Sequence, residues 1–250
     1  SGRVGVVGTD GSNSIGDFSR PANESAKTLG VIIFGSDHGL CGRFNESIAN
    51  HALDKINSLQ VTRKDSRVLA IVARLLGFLE RRHVPVHQWL RQAGSAAGID
   101  NVVGQLLIEI ADWQRDGVDQ MWLFYGAPST GAPYEARAQR LLPIDQQHFT
   151  HLSAARWPAR GLPDHAMQSE ALFSALIRQY LYVSLYRANA ASLASEQASR
   201  LRSMRGADRN IEERLNAMAT DYQRARQNAI TAEILEVISG YEATAAARNR

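Results

Sequence analysis

The residues with most chemical potential sit in one short stretch, GSDHGLCGRFN, residues 35–45. It holds His38, the single cysteine of the chain (Cys41) and three glycines, directly after the apolar run LGVIIF. Two chemistries are open to it. A thiol nucleophile needs an adjacent base or a helix N-terminus to lower its pKa. His38 is close in sequence, and a helix expected from about residue 43 would supply the N-terminus. Against this, no Asn or Asp stands in a recognisable orienting pattern, and a lone Cys is commonly a small buried packing residue. The balance favours packing for Cys41. A strand, a glycine turn and a helix is also how phosphate loops are built. That signature needs a Gly-Lys pair followed by Ser or Thr, and the chain has no Gly-Lys dipeptide. Neither GxGxxG after Phe34 nor a better loop after Val7 is present. The glycines read as residues that allow positive φ in a tight turn.

Other candidates are weaker. Seven histidines are scattered through the chain, and only His148 and His151 have a metal-like spacing. No Cys or carboxylate cluster accompanies them, so no metal and no cofactor is expected. Arg200, Arg202, Arg205 and Arg209 form a cluster with Asp208 as the one internal counter-charge. Two readings of it stand level: a basic patch for an acidic partner, or a solvated helix face with pairs such as Arg209 with Glu213.

Composition sets the frame for these residues. The chain has 250 residues, 44% apolar and 21% charged, which fits a folded protein of one large domain, alone or with an appendage. Net charge is +3 from 28 basic and 25 acidic residues, so nothing general favours nucleic acid. One cysteine excludes an internal disulfide and suits a reducing compartment. No apolar run approaches the ~18–20 residues that span a bilayer, and no signal peptide opens the chain. Ser1 is not preceded by Met, and a processed or truncated start is expected.

The elements that must hold these residues follow from periodicity. RVGVV near the start suggests a short strand, and residues 8–27 a loop. Residues 29–34 read as a buried strand, and 43–59 as a helix with Phe44, Ile48, Ala52 and Ile56 on one face. A strand at 67–72, a short helix at 73–83 and an edge strand at 84–90 containing Pro85 come next. Residues 100–113 form a helix capped by Asp100 or Asn101, followed by a strand at 119–126 and an antiparallel return at 138–144. Strands alternating with helices predict an α/β layer with a mostly parallel sheet.

After Pro163 the composition changes. From about 165 to 238 there is no Pro and one Gly, Gly206, in a sequence rich in Ala, Leu, Glu, Gln and Arg. A helix of ~70 residues would be ~105 Å long. Ala190, Ala194, Gln197, Leu201, Met204, Asp208, Ile211, Leu215, Met218, Tyr222, Ala225, Ala229 and Ala232 alternate by three and four, the seam of a left-handed coiled coil. Expected divisions are a linker at 1–28, an α/β domain at 29–163 and the long helix at 164–250. The seam needs another helix of similar length, and no other segment of this chain supplies one.

Two stretches carry a resemblance. SDHGLCGRFNESI, with Ser36, Asp37, Gly39, Leu40, Cys41 and Gly42, resembles the signature loop of the gamma subunit family of F-type ATP synthases. SEQASRLRSMRGADRN and ARQNAITAEILEVISG resemble that family's C-terminal helix. The resemblance covers residues 29–240. His38 stands where the commonest pattern has Arg, and Met204-Arg205 replaces Met-Lys. The Phe-Asn-Glu after the loop resembles the alternate, sodium-type branch. The basic N-terminal shaft helix of the family has no counterpart in the sequence.

The resemblance implies a Rossmann-like α/β domain and a long coiled-coil helix in a non-catalytic rotor shaft. Such a shaft turns inside a catalytic hexamer and couples proton or sodium flow to ATP synthesis or hydrolysis. Implied partners are the alpha and beta subunits, an epsilon-type stalk subunit and the membrane c-ring, with an N-terminal helix or second copy on the seam. No small-molecule ligand is implied. Arg200 is expected at the acidic lever of a catalytic subunit, and Arg226, Gln227, Thr231 and Glu233 at the collar of the ring. The implied location is peripheral, on the cytoplasmic face of a bacterial plasma membrane. The rivals are a small α/β thiol enzyme using Cys41 and an unrelated coiled-coil adaptor.

Overall fold

The computed structural model describes residues 28–59, 66–144 and 168–248. The strand expected at 3–7, the loop at 8–27, His148, His151 and His165 lie outside the described residues. Contacts divide the chain into two compact units, Ser1–Arg200 and Leu201–Arg250.

The first unit is built on β1 (Leu29–Phe34), whose six residues are all buried. A strand covered on both faces has no polar side, which is why its sequence runs apolar without alternation. The sheet has five strands: β1, β2 (Ser66–Ile71), β3 (Gln88–Leu90), β4 (Gln120–Ala127) and β5 (Glu135–Leu142). Their order is β3-β2-β1-β4-β5, with the first four parallel and β5 antiparallel to β4. The expected mostly parallel α/β layer is therefore present. β3 lies at the edge as expected, but it spans only Gln88–Leu90 rather than 84–90, so Pro85, which has no N–H for a ladder, stands before it.

Alternate residues of each strand feed opposite cores. On one face α1 (Phe44–Ser58) and α2 (Arg74–Arg81) bury Phe44, Ile48 and Leu75 against Val31, Ile33 and Val68. On the other, α3 (Ile99–Arg115) sets Val103, Leu106 and Trp113 against Ile32, Phe34 and Leu123. Gly30 is required there, because a Cβ would lie 2.8 Å from the Trp113 ring.

Two local expectations change. β5 begins at Glu135 rather than 138, because the antiparallel register pairs Glu135 with Ala127 and so uses the whole of β4. It ends at Leu142, before Pro143, which has no N–H for a ladder. α3 has Gly98 at its N-cap with no side-chain cap, so neither Asp100 nor Asn101 fills that role. The Asp100 carboxylate instead accepts a 2.6 Å hydrogen bond from the Tyr182 hydroxyl. This bond, first among the causes, holds the Tyr182 pKa above its ordinary value.

The long helix, α4 (Ser169–Arg248), has 80 residues. In the first unit one stripe of it is buried: Ile177, Leu181, Leu185, Ala188, Ser192, Ser195 and Ser199. The second unit is helix alone, and from Leu201 to Tyr241 every residue is exposed except the half-buried Ser203 and Gly206.

Candidate functional site

The 35–45 loop leaves the C-terminal end of β1, the central strand, and enters α1. Gly35 must be glycine, since a Cβ would lie 2.7 Å from Leu75 and 2.8 Å from Val72 side-chain carbons. Asn45 then ties the loop at both ends of one peptide position. Its Oδ1 accepts from Ser36 N–H at 2.7 Å, and its Nδ2 donates to Ser36 C=O at 2.9 Å. The buried Ser36 hydroxyl donates to the His38 carbonyl at 3.0 Å. Leu40 (φ 65) and Gly42 (φ 60) both adopt the left-handed conformation. For Leu40 this is uncommon backbone geometry held by its surroundings. Its side chain is 69% exposed.

This geometry decides between the chemistries considered for the loop. Cys41 is buried, and its thiol donates to the His38 carbonyl oxygen at 3.5 Å rather than meeting a base. Two N–H groups flanking the turn are spent within the loop: Ser36 N–H goes to Asn45, and Phe44 N–H to the Cys41 carbonyl at 3.4 Å. Cys41 is a packing residue, and the thiol-enzyme reading has no base to stand on among the described residues.

What the loop does offer is an acceptor. The Cys41 carbonyl receives a buried 2.7 Å hydrogen bond from the Ser199 hydroxyl of α4, 158 residues away in sequence. Beside it, α4 crosses the end of β4 so closely that a Cβ on Gly126 would lie 3.0 Å from Ser195 Cβ. The helix therefore lies across the C-terminal ends of β1 and β4. The strand order reverses between these two strands, and open α/β sheets commonly bind ligands at that crevice. Here α4 covers it.

Arg200, one residue on, is half-buried and has partners of its own on α4. Its guanidinium pairs with the buried Glu196 carboxylate and donates to Gln197 Oε1 at 2.8 Å. The signal was present, since Glu196 stands four residues before Arg200. Arg202, Arg205 and Arg209 are exposed and make no ion pair among the described residues. In the second unit Arg226, Gln227, Thr231 and Glu233 are likewise exposed, and Thr231 Oγ1 donates back to the Gln227 carbonyl at 2.9 Å.

The opposite side of α4 in the first unit carries a feature that sequence reading missed. Phe173, Leu176, Tyr180 and Val183 are all exposed. Their steps of three and four run through Arg187, Ala190, Ala194 and Gln197 into Leu201, so they extend the predicted seam toward the helix start. The seam positions Leu201, Met204, Ile211, Leu215, Met218 and Tyr222 are exposed too, as are Ala225 and Ala229.

An open polar cleft of about 470 Å³ lies between α1 and β5, lined by Asn50, His51, Asp54 and Tyr134 among others. Arg43 and Glu46 pair at its side at 2.8 Å, and the Arg43 hydrogen bond holds the Glu46 carboxyl below its ordinary pKa. Among the described residues no group of three or more His, Cys, Asp or Glu side chains is placed to hold a metal ion.

A sequence model of the family described as ATP synthase matches residues 8–244. The chain belongs to that family. It is 28% identical to the ATP synthase gamma chain of Burkholderia multivorans over 222 residues, covering 88% of this chain and 75% of that one. Identity to the gamma chain of Polynucleobacter necessarius is 27% over 221 residues, with the same coverage of 88% and 75%. Among solved structures, the Euglena gracilis mitochondrial ATP synthase (its OSCP/F1/c-ring assembly) contains a chain matching 90% of this one. The TM-score is 0.62, the identity 17%, and 75% of that chain is covered. A central stalk/c-ring structure from Tetrahymena thermophila mitochondrial ATP synthase matches 76% of this chain and 80% of its own. Its TM-score is 0.55 and its identity 22%. These two likenesses establish a shared fold. The family membership rests on the sequence match.

Proposed function

We propose that this chain works as the gamma subunit of an F-type ATP synthase, a non-catalytic shaft of the central stalk. It turns within the catalytic hexamer and couples proton or sodium flow through the membrane sector to ATP synthesis or hydrolysis. One observation carries the mechanical reading: the apolar seam on α4 runs in unbroken three-and-four steps from Phe173 to Ala232 and is exposed at its large apolar positions. A helix of this kind is made to be covered by other helices and by a surrounding ring. The gamma-chain relatives supply the identity of that ring.

In this reading the partners are the alpha and beta subunits, an epsilon-type stalk subunit and the c-ring, and a second helix lies on the seam. Arg202, Arg205 and Arg209 carry the free positive charge toward acidic surfaces of the catalytic subunits, and Arg200 contributes beside them. Arg226, Gln227, Thr231 and Glu233 contact the collar of the ring further along. The loop 36–42, with Leu40 outward, lies on the same first unit as Arg200. The functional division is between an α/β domain that begins at Leu29 and the shaft helix α4 (Ser169–Arg248). No helix among the described residues is long and apolar enough to cross a membrane. By likeness to the bacterial gamma-chain relatives, the proposed location is peripheral, at the cytoplasmic face of a bacterial plasma membrane.

Co-expression of the complete gene product with the catalytic subunits of the same genome tests this. The expected result is a stoichiometric complex whose ATP hydrolysis depends on the chain. Catalytic subunits that purify without it would overturn the proposal.

A further inference from the structure

The loop that looked chemical has a different use. We infer that the SDHGLCG loop is a clasp for α4: it holds the helix at Ser199, the last turn buried on the α/β fold, and thereby fixes where the load-bearing part of the helix begins. This rests on the shaft reading for its functional consequence, but not for the contact itself.

Three observations meet at this point. The loop is held by more bonds than a turn between strand and helix needs. Asn45 binds both the N–H and the C=O of Ser36, and the His38 carbonyl accepts from Ser36 Oγ and Cys41 Sγ. Leu40 is kept in the left-handed conformation, although a branched aliphatic residue gains nothing from it. Such bracing is useful only if the position of some loop atom matters.

The atom so positioned is the Cys41 carbonyl oxygen. It takes the Ser199 hydroxyl at 2.7 Å in a buried setting, beside the longer 3.4 Å bond from Phe44 N–H. The side chains of α4 also shrink toward this point. The buried stripe begins with Ile177, Leu181 and Leu185, then passes through Ala188 to Ser192, Ser195 and Ser199. Small residues let the helix axis come close to Gly126 and the loop. Of the three serine hydroxyls, that of Ser199 bonds to the Cys41 carbonyl, while those of Ser192 and Ser195 are buried with no hydrogen-bond partner among the described residues. A leucine stripe would tolerate axial sliding, whereas a serine bonded to one carbonyl sets the register.

The third observation is where burial stops. Glu196 is buried and Ser199 is 6% exposed, whereas Leu201 is 50% exposed and nothing after it is buried among the described residues. Ser199 therefore stands at the boundary between the braced and unbraced parts of one continuous helix. It touches no substrate, so its role is that of a positioning residue. Removing its hydroxyl frees the last braced turn without touching the apolar part of the interface.

The test has two readings on Ser199→Ala, with Ser199→Thr as the variant that keeps the hydroxyl. In the complete chain, amide hydrogen exchange is expected to quicken roughly tenfold in the 39–44 loop and the 195–200 turn, as befits one lost buried bond. β2 and α3 should be unchanged, and Ser199→Thr should restore protection. In the assembled ATPase in membrane vesicles, Ser199→Ala is expected to keep ATP hydrolysis within about twofold while ions pumped per ATP fall by half or more. Unchanged exchange in both segments would overturn the clasp. Faster exchange with an unchanged pumping ratio would overturn the positioning role. If the wild-type chain never enters the catalytic assembly, the shaft reading fails while the exchange result still decides the clasp. Should Ser199→Ala not accumulate, Asn45→Asp loosens the loop from the other side by removing the donor to Ser36 C=O, and the same readings apply.

Discussion

Gly126 is the residue with least room at the joint between α4 and the sheet. A Cβ there would lie 2.7 Å from Phe44 Cε2 and 3.0 Å from Ser195 Cβ. Both neighbours are buried, so neither can swing away into solvent. Gly126→Ala is expected to cost about 1–3 kcal/mol, the usual range for overpacking. Gly104 is the control. It sits exposed within α3 with nothing within 4 Å of an added Cβ. Gly104→Ala should therefore gain up to about 1 kcal/mol from helix propensity. Urea denaturation of both variants separates a tight contact from a general cost of replacing glycine. Tyr182 gives a pH-dependent counterpart. Its hydrogen bond to Asp100 raises the phenol pKa in the folded state. The contribution is full below the unfolded tyrosine value of about 10 and is lost as pH rises through the higher folded value. Wild type should therefore lose stability relative to Tyr182→Phe across that alkaline range, and parallel curves would refute it. This bond also shows why the cap was misread. Asp100 has the chemistry of a cap, but its partner lies 82 residues away, where local sequence gives no clue.

At the level of the element, α4 wears two faces in the first unit. The seam positions Tyr180, Val183 and Ala190 alternate around the helix with the buried positions Leu181, Leu185, Ser192 and Ser195. Sequence periodicity made the seam legible beyond residue 190, because apolar residues there recur with little competition. The buried stripe was not legible, since its later members are serines, which a search for apolar spacing passes over. Between 173 and 185 both stripes are apolar, and the two periodicities overlap into an unresolved run. β1, β2 and β4 were legible for the opposite reason: each is a short, mostly apolar run bounded by glycine or charge, whereas β3 and β5 mix polar residues in and were placed less closely. The two faces predict different outcomes for one substitution. Leu185→Ala, at a fully buried site, should lower unfolding stability by about 2–4 kcal/mol. Leu215→Ala, where the side chain is 60% exposed, should change it by under about 0.5 kcal/mol. Light scattering should reverse the ranking. The isolated chain is expected to self-associate through its uncovered seam, and Leu215→Ala should weaken that association while Leu185→Ala does not.

At the level of the whole molecule, the two units are stabilised by different means. The first has two apolar cores of its own around the sheet. The second is a helix with no buried residue among those described, and its persistence must depend on what surrounds it. Charge gives a way to ask what that is. The chain is nearly neutral, with a net charge of +3, yet Arg202, Arg205 and Arg209 lie within eight residues with Asp208 as the single acid between them. None of the three forms an ion pair along the helix among the described residues. A docking patch and a solvated face predict different outcomes for these three residues. Replacing Arg202, Arg205 and Arg209 with Gln should weaken association with the catalytic subunits roughly tenfold or more, while unfolding of the first unit stays within about 0.5 kcal/mol. The salt dependence is the decisive reading. Raising salt from about 0.1 M to about 1 M shortens the screening length from about 10 Å to about 3 Å. Wild-type association should fall over that range, and the triple variant should respond far less. Equal salt response in the two proteins would return the arginines to the solvent, and leave the apolar seam as the sole attraction between this helix and its ring.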